Sequence, residues 1–262
     1  MLGKLMKYEF MATGRVFLPL FAALIIISTV SRILSSFQLQ TPSIIGVVVA
    51  VILIVGIFVL TFIITIQRFR QNLLSEEGYL MMTLPVKTDS HIFSKLFVST
   101  VWAVASFVIV VIAIMIMAMT GYNFSDLARA IKEFFSTVAL EAPQVIVYAI
   151  EALVFIILSI FSSILLLYTC ISLSMLVSKR RGLFSFGAFI VITVALQVIG
   201  SIFVAIGAAI TLPGGIDRLF SRMSVFGTSQ VLIAVVVLTE LILCAIYYLV
   251  TRHMLKNRLN LQ

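Results

Sequence analysis

The chain has 262 residues, 62% of them hydrophobic and 11% charged, against ~45–50% and ~25% in soluble globular proteins. That balance excludes intrinsic disorder, which needs low hydrophobicity, and it supplies no basic soluble module of the kind that binds nucleic acid. Apart from Arg32, Glu151 and Glu240, the charges fall between long apolar runs, so the chain reads as an all-α integral membrane protein.

Crossing ~30 Å of hydrocarbon at 1.5 Å per residue takes ~20 apolar residues. Six stretches qualify, roughly 17–36, 44–66, 96–120, 144–177, 184–211 and 229–250. Runs of this length must be helical, because lipid offers no partner to an unpaired N–H or C=O. The expectation is one transmembrane domain over 1–262, a six-helix bundle with both termini on the same side.

Before the first span, Leu2, Leu5, Met6, Glu9 and Phe10 with Lys4 and Lys7 predict a short basic amphipathic helix lying on the headgroups. A basic segment before an apolar run also resembles a signal peptide, but the leading residues and five further spans favour a retained anchor. All five prolines, Pro19, Pro42, Pro85, Pro143 and Pro213, are read as lying at span ends or in loops, so no Pro-broken transporter helix is expected.

Residues 67–95 form a connection longer than a turn between helices requires. Ser75 is a plausible N-cap, Glu76 and Glu77 sit where a helix dipole favours acids, and Pro85 ends the segment. A second short helix is expected from Glu76 to Thr83, presenting Tyr79, Met81 and Met82 to a partner. Thr88-Asp89-Ser90 then supplies capping chemistry for the third span.

Between the third and fourth spans, Leu127, Ile131, Phe134, Phe135 and Val138 follow the helical period and suggest an interfacial helix. The turn Ser178-Lys179-Arg180-Arg181 precedes the fifth span, where Ser201, Ala205 and Ala209 form a small-residue ridge. Residues 212–228 leave room for only a short hairpin. In the sixth span Glu240 lies ~16 Å deep, where an ionised carboxylate costs at least ~2.5–3.5 kcal/mol and needs a partner, a proton or water. Glu151 is nearer the outer interface, as is Arg32, and snorkelling or an ion pair explains both.

Orientation follows from Lys and Arg. Thirteen lie in the terminal segments and in the loops at 67–95 and 178–183, namely Lys4, Lys7, Arg15, Arg68, Arg70, Lys87, Lys95, Lys179, Arg180, Arg181, Arg252, Lys256 and Arg258. Five remain for the other side, Arg32, Arg129, Lys132, Arg218 and Arg222. The positive-inside rule puts the termini in the cytoplasm, and the net charge of +8 records topology and contact with anionic membrane lipids.

Catalytic equipment is not visible. There is no nucleotide-binding G-x-x-x-x-G-K-[ST] loop, no H-E-x-x-H and no G-x-S-x-G. His91 and His253 lie in different segments and read as solvated or capping residues, while Cys170 and Cys244 read as small apolar residues within spans. No catalytic, cofactor or metal site is expected in this chain.

Two clusters of residues do form a pattern. Lys7-Tyr8-Glu9-Phe10 with Gly14-Arg15 and Phe17-Leu18-Pro19, and Glu76-Glu77-Gly78-Tyr79-Leu80 with Thr83-Leu84-Pro85-Val86 and Ser94-Lys95-Leu96, resemble the permease subunits of bacterial ATP-binding-cassette type-2 exporters. The likeness covers the first 100 residues best and rests beyond them on the number and spacing of spans.

The resemblance implies a connecting helix around Lys4 to Ala12, carrying Lys7, Tyr8, Glu9 and Phe10. It also implies a coupling helix at Glu76, Glu77, Gly78, Tyr79, Met81, Met82 and Thr83 that docks on a separately encoded ATPase. ATP and Mg would then belong to that partner, a second permease copy or paralogue would complete the assembly, and the site would be a bacterial cytoplasmic membrane. Glu240 and Glu151 become candidates for a substrate pathway. The alternative from another class is an ATP-independent channel or scaffold, with an integral-membrane enzyme as a third.

Overall fold

The computed structural model describes residues 2–37, 40–74, 88–118, 129, 132–133, 136, 143–177, 180–210 and 225–257. Six long helices run through them: α1 (Leu2–Ser36), α2 (Gln40–Leu74), α3 (Thr88–Ala118), α4 (Pro143–Leu173), α5 (Arg181–Ile210) and α6 (Val225–Asn257). Each contains a stretch long and apolar enough to cross a membrane: Leu5–Ser36, Thr41–Arg70, Asp89–Ala118, Gln144–Leu176, Gly182–Ile202 and Phe226–Lys256. The chain divides into two compact units, Met1–Val147 and Tyr148–Gln262.

The helix starts obey local chemistry. Pro42 lies in the first turn of α2 and Pro143 opens α4, where a missing N–H costs nothing and the fixed φ suits a helix. Asp89 occupies the first turn of α3 and Lys256 the last turn of α6, each sign matching the helix dipole. Beyond α4 a 3-10 turn at Ser174–Leu176 leads to extended Val177. Arg180, at φ 58°, gives its carbonyl to the Phe184 N–H at 3.2 Å and starts α5.

Two expectations change at the amino end. The connecting helix is not a separate element, because α1 runs unbroken for 35 residues through the Lys7-Tyr8-Glu9-Phe10 segment and through Pro19. Pro19 is therefore inside a helix rather than at a span end. It removes only the bond that the Arg15 carbonyl would accept, a loss that membrane helices tolerate. The third span begins with α3 at Thr88, as the capping residues predict, so Lys95 is a helical residue rather than the end of a loop.

In the first unit α1, α2 and α3 pack pairwise against one another. Their core holds Phe17, Phe21 and Leu24 from α1, Ala50 and Ile57 from α2, and Val110 and Ala113 from α3. At the far end of α1 the Ser31 hydroxyl donates to the Ser43 carbonyl of α2 at 3.1 Å. A Cβ built on Gly46 would lie 2.8 Å from the Ser31 Cβ, so only glycine lets α2 approach here. Further along, the Thr61 and Ser106 hydroxyls pair at 3.2 Å between α2 and α3.

The second unit is held differently. Thr169 of α4 bonds the Tyr247 carbonyl and the Thr251 hydroxyl of α6, both at 3.1 Å, and Tyr148 pairs with Ser229 at 2.5 Å. Such bonds suit lipid, where apolar burial drives no association between helices and polar contacts with close packing must supply it. The most apolar window of α5 has no buried residue, and large side chains such as Phe186, Val191 and Ile202 are exposed. In water that surface would aggregate; facing lipid it is what a membrane helix presents.

Candidate functional site

The amino-terminal end of α1 carries its polar residues on two faces. Lys7 and Tyr8 are exposed, with Tyr8 68% accessible, whereas Glu9, Thr13 and Phe17 recur every fourth residue and are buried. One helical stripe therefore turns a carboxylate, a hydroxyl and a ring inward. Thr13 satisfies its own hydroxyl by donating to the Glu9 carbonyl at 2.7 Å, which leaves the Glu9 side chain for its neighbours.

Those neighbours are cationic. Lys95 of α3, with 2% of its side chain exposed, donates to Glu9 Oε1 at 2.5 Å. Arg68 of α2, 32% exposed, lies 3.9 Å from Glu9 Oε2. A buried ammonium needs such a partner, since desolvating either charge alone costs several kcal/mol. The cluster joins all three helices of the first unit and sits within about two turns of the end of each.

Above it lies the only tryptophan of the chain. Trp102 stacks on Phe17 with ring centroids 4.8 Å apart and an interplanar angle of 13°. Phe10 and Phe21 flank it at 6.1 and 6.0 Å. Gly14 makes room for the indole, for a Cβ there would lie 3.4 Å from the Trp102 ring. Charged cluster and aromatic stack together line a crevice bounded by α1, α2 and α3, with Thr65, Ile64, Val98 and Ser99 completing its walls. Its free volume of about 10 Å³ has room for roughly one water.

The other expected residues are placed as follows. Glu76, Glu77, Gly78, Tyr79, Met81, Met82 and Thr83 lie outside the described residues, as does most of the outer helix expected at 127–138. Glu151 accepts a hydrogen bond from Gln230 at 3.1 Å, joining α4 to α6 in place of an ion pair. Glu240 has one buried oxygen, Oε2, without a hydrogen-bond partner among the described residues. Its helix places it one turn before the buried Cys244. His91 is 3% exposed with an unpartnered Nε2, so the solvated role expected for it does not hold. It is buried in the first turn of α3. No group of three or more potential metal ligands occurs among the described residues.

The Glu9–Lys95 pairing is the feature that reading the sequence misses. A signal was present: Glu9 is the one acid among Lys4, Lys7 and Arg15, and Lys95 is embedded in Ile92-Phe93-Ser94-Lys95-Leu96-Phe97-Val98, where a lysine without a partner would be costly.

Comparison of the chain with protein-family models, with curated proteins and with solved structures finds no match.

Proposed function

We propose that the chain is the membrane-embedded permease subunit of an ATP-driven exporter. Two permeases would work with two separately encoded ATPase chains to move an amphipathic substrate such as a peptide, lipid or drug. The chain itself hydrolyses nothing in this reading. It resides in a bacterial cytoplasmic membrane with both termini inside, and the segment from Glu76 to Thr83 docks on the ATPase.

The observation that supports this reading is the meeting of two sequence patterns that carry the resemblance. Glu9 of Lys7-Tyr8-Glu9-Phe10 reaches Lys95 of Ser94-Lys95-Leu96, and Phe17 of Phe17-Leu18-Pro19 stacks on Trp102 one helix face further on. Residues 75–87 join the end of α2 to the start of α3, and the charge cluster locks both of those ends to α1. A push delivered at 76–83 would therefore pass from α3 to α1 through the buried Glu9–Lys95 pair, with Arg68 of α2 alongside, instead of dissipating in a loop.

The test is the Glu76→Ala/Glu77→Ala double variant, assayed after normal membrane insertion is established. Removing a desolvated charged hydrogen bond at an interface typically costs ~2–5 kcal/mol. The variant is expected to lose coupling of ATP hydrolysis to the permease while Tyr79, Met81 and Met82 still hold the ATPase. Unchanged retention together with unchanged coupling contradicts docking through these carboxylates.

A further inference from the structure

The crevice between α1, α2 and α3 draws on each helix in the same way. Each brings to it two polar residues about one turn apart: Glu9 and Thr13, Thr65 and Arg68, Lys95 and Ser99. The rest of the lining is apolar, from Phe17, Ile64, Val98 and the Trp102 ring. Within the polar part the groups are not all joined directly. Lys95 reaches Glu9 Oε1, whereas Arg68 stands 3.9 Å from Glu9 Oε2, beyond a direct hydrogen bond and at a separation that a water can bridge.

The hydrogen bonds already made define what could sit there. The Thr13 hydroxyl donates its hydrogen to the Glu9 carbonyl at 2.7 Å, and the Thr65 hydroxyl donates to the Thr61 carbonyl at 2.8 Å. Both threonines are buried, and with their hydrogens directed along their own helices they offer only lone pairs to the crevice. The Arg68 guanidinium offers only donors. An occupant must therefore donate and accept at once, in a free volume of about 10 Å³, which is the space of one water. A halide would donate nothing to the threonine oxygens. A metal cation would add to the charges of Lys95 and Arg68, which only Glu9 opposes in the lining. Organic ligands exceed the volume.

We propose that the crevice binds one ordered water, which donates to the Thr13 and Thr65 hydroxyl oxygens and accepts from the Arg68 guanidinium. Three hydrogen bonds are the usual number for a buried water. The site makes the three-helix joint asymmetric: α1 and α3 meet through the direct Glu9–Lys95 contact, and Arg68 of α2 joins them through the water. It needs neither an ATPase nor a substrate, so it is independent of the transport reading.

Phe17 and Val98 line the crevice and are 1% and 2% exposed, while Leu24 and Ile57, both 0% exposed, belong to the dry core of the same unit. The test is nuclear Overhauser transfer from water to these four side chains, measured on the whole chain in phosphatidylcholine nanodiscs with selective labelling. Cross-peaks to water, with the sign of a slowly tumbling complex, are expected at Phe17 and Val98 and absent at Leu24 and Ile57. Val98→Ile adds a methylene to the wall and should abolish the cross-peak at Phe17. Absence of cross-peaks at both Phe17 and Val98 in the unmodified chain overturns the water site, and so do equal cross-peaks at Leu24 and Ile57. A Phe17 cross-peak that persists in Val98→Ile arises from the threonine hydroxyls and overturns it as well. If that variant fails to insert, a pH series on the unmodified chain decides: transfer relayed by an exchanging hydroxyl changes as exchange accelerates, and transfer from a bound water stays constant.

Discussion

Glu9 and Lys95 are 86 residues apart in the chain and 2.5 Å apart in space, with both side chains nearly excluded from solvent. The pair ties the amino-terminal turns of α1 to the start of α3, with Arg68 of α2 alongside. Breaking a buried pair from one side leaves an uncompensated charge, which typically costs ~3–5 kcal/mol, whereas replacing both partners with apolar residues of similar volume is often neutral. Glu9→Leu and Lys95→Met should each lower the thermal midpoint strongly, and the double variant should recover most of the loss. The check is a double-mutant cycle followed by Trp102 fluorescence in detergent. Additive effects of the two substitutions would show that the pair is not energetically coupled.

Glycines on one helix provide an internally controlled test of packing. At Gly46 a Cβ would meet the Ser31 Cβ at 2.8 Å and its backbone Cα at 3.3 Å, while at Gly56 nothing lies within 4 Å. Gly46→Ala should destabilise by ~1–3 kcal/mol, the usual cost of overpacking. Gly56→Ala should be neutral or stabilising by up to ~1 kcal/mol, through better helix propensity. Comparing thermal midpoints of the two variants measures the difference, and equal midpoints would mean that α1 and α2 do not approach closely at Ser31.

The spans are readable because each needs only a sustained apolar run, and the start of α3 because Thr88-Asp89-Ser90 acts on its own helix end. The extension of α1 back to Leu2 was hidden. Lys4, Lys7 and Glu9 look like the polar side of a helix lying on the membrane, and what turns Glu9 inward is Lys95, a partner with no local signature. Pro19 was misplaced for a related reason: a span judged by hydropathy begins near residue 17, although the helix begins fifteen residues earlier. In the second unit the pairing of Glu151 with Gln230 has no signature in the sequence, because an amide carries no charge pattern to match.

Glu240 places an oxygen in a buried position without a hydrogen-bond partner among the described residues, an arrangement that usually costs ~1–3 kcal/mol. A residue that carries such a cost is a candidate for function. Glu240→Met keeps the length of the side chain and removes the orphaned oxygen, and it should raise the thermal midpoint by the equivalent of ~1–2 kcal/mol. Under the transport reading Glu240→Gln should assemble normally and export more slowly. A lowered midpoint for Glu240→Met would show that the carboxyl group stabilises the fold. Export by Glu240→Gln at the unmodified rate would exclude a required charge at this position.

Orientation is testable without a substrate. The proposed orientation, with both termini in the cytoplasm, rests on thirteen basic residues against five and the positive-inside rule. Single cysteines at positions 87 and 179, introduced as Lys87→Cys and Lys179→Cys, should resist an impermeant thiol reagent in intact cells, and Lys132→Cys should react. The native Cys170 and Cys244 are buried and should contribute little background. Labelling in the opposite sense reverses the assignment.

The proposed function rests on a partner, so isolating that partner tests it most directly. The tagged chain, cross-linked in native membranes and then purified in mild detergent, should carry an ATPase with a Walker-type nucleotide-binding loop in an amount comparable to its own, identified by mass spectrometry. Cross-links from the ATPase should map to 76–83. Recovery of the chain with no such ATPase in stoichiometric amount, from membranes in which its export activity or expression is normal, would contradict the permease account and favour a channel or scaffold that works without ATP.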